Sequence, residues 1–120
     1  MRFLFEAVGR AHNLADPALV EGLVDPTHCS DCSRWLSNTK DMAKEGQRFV
    51  GVFWTLQRAN ALTVQGDTVG VITQFLVPAG KIVDSKGRTV LTRHASGPIR
   101  ADFVLQFRDH WVVVRGEMVP

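Results

Sequence analysis

Between Ile99 and Arg108 apolar and polar residues alternate. Ile99, Ala101, Phe103, Leu105 and Phe107 are interleaved with Arg100, Asp102, Gln106 and Arg108, and only Val104 breaks the polar set. A period of two is what a strand with one buried face requires, and no helix satisfies it. Asp109-His110 follows, and Trp111-Val112-Val113-Val114-Arg115 opens a second β-prone run. Asp and His tolerate positive φ better than most residues, so the spacing predicts a two-residue turn at Asp109-His110. That turn sets Phe107 against Val112 and Leu105 against Val114 on one side, with Arg108 opposite Trp111 on the other. A ribbon with one apolar side needs a cover, and the rest of the chain has to provide it.

The cover is predicted at the start of the chain. Arg2 to His12 reads as a helix with Phe3, Leu4, Ala7, Val8 and Ala11 on one stripe. Asn13 is its predicted stop. Asp16-Pro17 is a start signal, a capping carboxylate followed by a proline at the first helical position. The short helix from Pro17 to Val24 is predicted to bury Leu19, Val20 and Leu23, and Asp25-Pro26 ends it. Thr27 or Ser30 caps a third helix running to about Glu45, with Cys32, Trp35, Leu36, Thr39, Met42 and Ala43 inward and Gly46 as its C-cap.

After Gly46 the period becomes alternating and stays so. Arg48 to Ala59 reads as one strand with Val50, Val52, Trp54 and Leu56 on a single face. Thr63-Val64 and Thr68 to Val77 flank a turn at Gly66-Asp67. Pro78-Ala79-Gly80 interrupts, Asp84-Ser85-Lys86-Gly87 turns, and Thr89 to His94 leads through Ser96-Gly97-Pro98 into the ribbon. Helices first and strands joined by short turns second predict an α+β fold, with N-terminal helices (2–45) packed on a curved, mostly antiparallel sheet (47–118) of four to six strands. At 120 residues the chain is one domain, 1–120.

Charge narrows the partners. Fourteen basic and twelve acidic residues give a net +2, spread along the chain without a basic stripe, so neither nucleic acid nor an anionic membrane surface is indicated. No apolar run approaches the ~20 residues of a membrane-spanning helix. Phe3-Leu4-Phe5 is too short to be a signal peptide's apolar core.

The order of elements resembles the nuclear-transport-factor-2-like (cystatin-like) superfamily, in which helices pack into the concave side of a curved antiparallel sheet. The ending Phe103-Val104-Leu105-Gln106-Phe107 then Asp109-His110-Trp111-Val112-Val113 is similar to that superfamily's closing strand pair. More narrowly, Asn13-Leu14-Ala15-Asp16-Pro17-Ala18-Leu19-Val20 and then Asp25-Pro26-Thr27-His28-Cys29-Ser30-Asp31-Cys32 resemble actinobacterial lipoprotein domains of unknown function. That resemblance implies an exported or lipid-anchored binding module. Such relatives carry a lipobox and a polar linker ahead of the domain, and neither is in this sequence.

Cys29-Ser30-Asp31-Cys32 is the distinctive motif. Cysteines three apart at a helix N-terminus face one another across the first turn, so a disulfide staple is the leading reading. Helix N-terminal amides also lower a thiol's pKa, which is the redox alternative, although the strand that precedes a thioredoxin-like motif is missing here. Zinc is the third reading, with His28, Cys29 and Cys32 as ligands and His12, His94, His110 or a carboxylate as the fourth.

Acid/base candidates are His94, Asp102 and Asp67, since the superfamily includes isomerases and dehydratases that use an Asp or a His–Asp pair. The bland readings are strong: Asp102 lies on the polar face of its strand, and His94, in phase with Val90 and Thr92, is an inward residue satisfied by a hydrogen bond. Trp35 and Trp54 are predicted core, and Trp111 is predicted to pack under Arg108. Trp111 and Val113, if exposed together, suggest a homodimer through the sheet face. No phosphate loop, nucleophile elbow or acidic metal loop is present. The sequence implies no cofactor, and it ranks a non-catalytic binding or interaction domain for an unidentified small molecule or protein above a small isomerase- or dehydratase-type enzyme, and both above a zinc or redox module.

Overall fold

A computed structural model describes residues 1–119; Pro120, the last residue of the predicted domain, lies outside them. Three α-helices and a short helical turn come first: α1 (Arg2–Leu14), α2 (Ala18–Glu21), a 3-10 turn (Pro26–His28) and α3 (Ser30–Lys44). Seven strands follow: β1 (Arg48–Val50), β2 (Thr55–Gln65), β3 (Thr68–Val77), β4 (Gly80–Val83), β5 (Thr89–Arg93), β6 (Ser96–Phe107) and β7 (Trp111–Val119). They form two antiparallel sheets, one ordered β2-β3-β6-β7 and a smaller one ordered β1-β4-β5. The α+β architecture is as predicted, helices against antiparallel sheet.

The core lies where α1 and α3 meet the larger sheet. Leu4, Phe5, Val8 and Ala11 of α1 and Cys32 and Trp35 of α3 close over Val71, Phe75, Ala101, Phe103 and Leu105. Phe5 is the hub, with ring centroids 5.2 Å from Phe75 and 5.4 Å from Trp54. Edge-to-face aromatic pairs of this kind add to plain area burial. The predicted stripe of α1 is turned by one position: Phe3 is 38% exposed, while Phe5 and His12 are buried. In α3 the buried Thr39 returns its hydroxyl to the Trp35 carbonyl at 2.8 Å, which is how a polar residue sits in that stripe. Neither Thr27 nor Ser30 caps α3. Cys29 does, its sulfur accepting from the Cys32 amide at 3.1 Å.

Further expectations are corrected. Arg48 to Ala59 is not one strand. Gly51 sits at φ 120°, a region closed to side chains, and there the chain leaves the small sheet to enter the large one. Phe49 rather than Val50 is therefore buried, and Val52 is 59% exposed. The helix from Pro17 is a single turn, with Asp16 accepting from the Ala18 amide at 3.1 Å. Instead of continuing as helix to Val24, the chain runs beside β7: the Val113 amide donates to Leu23 O and the Asp25 amide to Val113 O, each at 2.8 Å.

The terminal hairpin has a three-residue loop. Neither Asp109 nor His110 adopts positive φ, so the mirror-image two-residue turn cannot form. Phe107 pairs with Trp111 and Leu105 with Val113, and an irregularity after Val104 restores the predicted register from Val104–Arg115 onward. Phe103 and Leu105 are buried as predicted, but Phe107 is 50% exposed and packs on Trp111 at 5.4 Å. Val113 is fully buried, so the predicted Trp111/Val113 surface patch does not form. Arg108 reaches Asp25 at 2.9 Å, not the Trp111 ring. The other edge strand, β2, carries two irregularities, between Leu56 and Arg58 and between Ala61 and Val64.

Candidate functional site

A cavity of about 460 Å³ opens between the C-terminal ends of α1 and α3 and the small sheet. Met42, Phe49, Phe53, Ile82 and Leu91 make its apolar walls; Asn38, Asp41, Gln47 and Thr92 are its other polar members, beside His12 and Arg93. The strand break at Gly51 makes the space: it lets Phe49 and Phe53 turn toward α1, ring centroids 5.2 Å apart and nearly perpendicular. Asn13, at the end of α1, holds this corner by donating to the carbonyls of Phe49 and Gly51 at 2.9 and 3.0 Å.

His12 is the buried titratable group of the cavity, 4% exposed, with its ring stacked on Phe53 at 3.9 Å. Nδ1 lies 2.7 Å from the Val8 carbonyl. A carbonyl only accepts, so Nδ1 carries the proton and Nε2 presents a lone pair. No buried side-chain nitrogen or oxygen among the described residues lacks a partner; Nε2, which has none in the protein, therefore opens onto the cavity. Burial pushes the His12 pKa below its ordinary 6.5 and the Arg93 guanidinium adds to the effect, against a smaller upward push from the Val8 bond. The ring is neutral at physiological pH.

Arg93 is spent on structure. Its Nε donates to Pro78 O at 3.0 Å, and Nη2 donates to the carbonyls of Phe53, Pro78 and Val52 at 2.6, 2.8 and 3.2 Å. The guanidinium lies over the rings of Phe49 and Phe53, 4.4 and 4.9 Å from their centroids. Desolvation lowers its pKa, though an arginine stays charged regardless.

Apart from His12, which the zinc reading offered as a possible fourth ligand, the residues singled out from sequence lie elsewhere. Cys29 and Cys32 come together, sulfurs 2.04 Å apart, at the N-terminus of α3. His28 is exposed on the preceding turn, and no three His, Cys, Asp or Glu side chains among the described residues converge as metal ligands. His94 is exposed rather than inward, because β5 carries its one half-buried side chain at Arg93. Asp67 sits in the β2–β3 turn and accepts from Gln106 Nε2 at 3.2 Å. Asp102 is half-buried, ion-paired to Arg100 at 3.1 Å, and lines a separate groove of about 400 Å³ with His28, Arg115 and Glu117. None of the three lines the cavity. Asp25 is the surface group held furthest from its usual range: the Thr27 hydroxyl and amide, helped by Arg108, bring it to about 2.

His12 carried a sequence signal that polarity hid: it is four residues past Val8 and eight past Leu4, on the buried stripe of α1. Arg93 carried none, since its role depends on carbonyls distant in sequence.

No family model matches the chain, and no curated protein matches it in sequence. Solved structures do. A nuclear-transport-factor-2-like protein of unknown function in nutrient uptake from Rhodospirillum rubrum is 16% identical, with a TM-score of 0.59 over 98% of this chain and 94% of that one. An uncharacterised protein with a cystatin-like fold from Caulobacter vibrioides is 15% identical, with a TM-score of 0.55 over 99% and 87%. The intermembrane-space region of the chloroplast protein ARC6 is 12% identical, with a TM-score of 0.60 over 97% and 91%. At such identities the likeness is one of fold, and the fold is nuclear-transport-factor-2-like.

Proposed function

We propose that this nuclear-transport-factor-2-like fold serves as a small-molecule-binding domain, with the ligand seated between α1, α3 and the small sheet. The observation that carries the reading is a cavity of about 460 Å³ with mostly apolar walls. Its size falls in the range of ordinary ligand sites, which pair apolar walls with a few placed polar atoms. Thr92 is exposed on the rim, so filling the mouth from that position leaves the core alone. Nile red, a neutral apolar dye, should bind wild-type protein saturably at one site with a rise in fluorescence, and Thr92→Trp should abolish the saturable component. Equal saturable binding by the variant sinks the reading.

The lone pair of His12 supports a second reading, a small isomerase- or dehydratase-type enzyme with that nitrogen as general base. We rank it second because His94, Asp102 and Asp67, which sequence offered as acid/base groups, do not line the cavity that His12 faces. An exported, lipid-anchored setting of the actinobacterial kind stays a proposal resting on the Asp25-to-Cys32 resemblance; paired cysteines suit oxidising compartments.

A further inference from the structure

We infer that the molecule this cavity takes is uncharged, an apolar body bearing one hydroxyl or N–H group that donates to Nε2 of His12. The inference rests on the binding reading above and adds the chemistry of the ligand. Two observations converge on it, one at His12 and one at Arg93.

The first is the imidazole. With Nδ1 donating to Val8 O, the face turned to the cavity is an acceptor and nothing else. A ligand carbonyl or ether brought against it would meet lone pair with lone pair. A ligand that fills the space without a donor leaves Nε2 desolvated and unpaired, which costs more than the bond itself is worth. The stack on Phe53 and the bond to Val8 fix the ring plane, so the acceptor is aimed before the ligand arrives.

The second is the arginine. Arg93 is the one Lys or Arg that lines the cavity, and a cavity with a guanidinium reads at first as an anion site. A carboxylate or phosphate is gripped through two adjacent nitrogens of the fork. Here Nε and Nη2 are taken by the carbonyls of Pro78, Val52 and Phe53, and only Nη1 is left. Asp41 on α3 lines the same space and repels an anion further. The charged groups that share the cavity with His12 are thus Arg93 from β5 and Asp41 from α3, with none from β1 or β4. Acid that protonates Nε2 converts the acceptor to a donor, so capture of a donor ligand fades below the ordinary histidine range.

Three probes with one body test this by fluorine NMR at neutral pH: para-fluorophenol, para-fluoroanisole and para-fluorobenzoate. The phenol stays un-ionised until about pH 10. It should bind roughly three- to tenfold tighter than the anisole, the difference one hydrogen bond makes, and tighter still than the benzoate. His12→Phe should level phenol with anisole without weakening the anisole. Anisole equal to phenol in the wild type, or benzoate tightest, with Thr92→Trp still blocking uptake, overturns the donor inference and leaves the binding reading standing. Failure of all three probes to bind overturns both. The wild-type comparison needs no variant to fold.

Discussion

Phe49 faces the cavity because nothing stands on Gly80. A Cβ built there would lie 2.2 Å from the Phe49 Cζ and 2.9 Å from its Cε2. Phe49 is in register with Ile82 of β4, but its ring leans over Gly80 two residues along, and it is also one of the two rings beneath Arg93. Gly80→Ala should therefore cost about 1–3 kcal/mol, the range for overpacking a filled site, and urea unfolding reads it. An unchanged midpoint would show that Phe49 has another place to go. Single residues were the least legible part of the sequence. Phe3 and Phe5 differ by 200° around a helix, yet both flank the same aliphatic positions, and only the tertiary cover chose Phe5. His12 has the spacing of the buried stripe, and its polarity hides it from a reading by hydrophobicity, while its hydrogen bond to Val8 satisfies it within its own helix.

Elements were read best where one period ran without interruption. The alternation of Ile99 to Leu105 and the turns at Gly66-Asp67 and Asp84 to Gly87 correspond to real strands and connections. Boundaries failed where backbone geometry, not hydrophobicity, decided them. Gly51 lies inside an alternating run, and nothing in the alternation says that φ turns positive there and the chain changes sheets. At Asp109-His110 the register depended on two φ signs that the residues permit but do not demand. The start of α3 offered conventional hydroxyl caps, and the sulfur of Cys29 took the role because it is tied back to Cys32. A disulfide here closes a loop of only four residues, so the chain-entropy relation gives it about 2 kcal/mol. A water-soluble phosphine should lower the urea-derived stability by that much or less, and thiol titration of denatured, unreduced protein should find no free thiol. Two free thiols in that titration would remove the staple and leave the Cys29 cap to act alone.

At the scale of the whole molecule the helices cover one face of the β2-β3-β6-β7 sheet, and the other face carries Leu62, Ile72 and Val104. Leu62 lies over the bare Gly70, whose β6 partner is Val104. We propose this outer surface, rather than Trp111 with Val113, as the contact of a homodimer. Sedimentation equilibrium should give about twice the chain mass, and Ile72→Arg should return it to one; a wild-type monomer at high concentration would count against the proposal. The α+β class was legible at this scale because helical and alternating periods occupy separate halves of the chain. The division into two sheets was not, since it hangs on the one glycine between β1 and β2.

The two irregularities in β2 have a consequence for how the molecule behaves in a crowd. Along its free side that strand offers amides and carbonyls out of step at Leu56/Arg58 and again at Ala61/Val64. A neighbour's strand laid against it would find two or three good bonds and then a mismatch. The opposite border is occupied for part of its length by the Leu23-to-Asp25 segment. Both margins of the large sheet are thereby poor templates, and concentrated solutions of the protein should stay free of fibres.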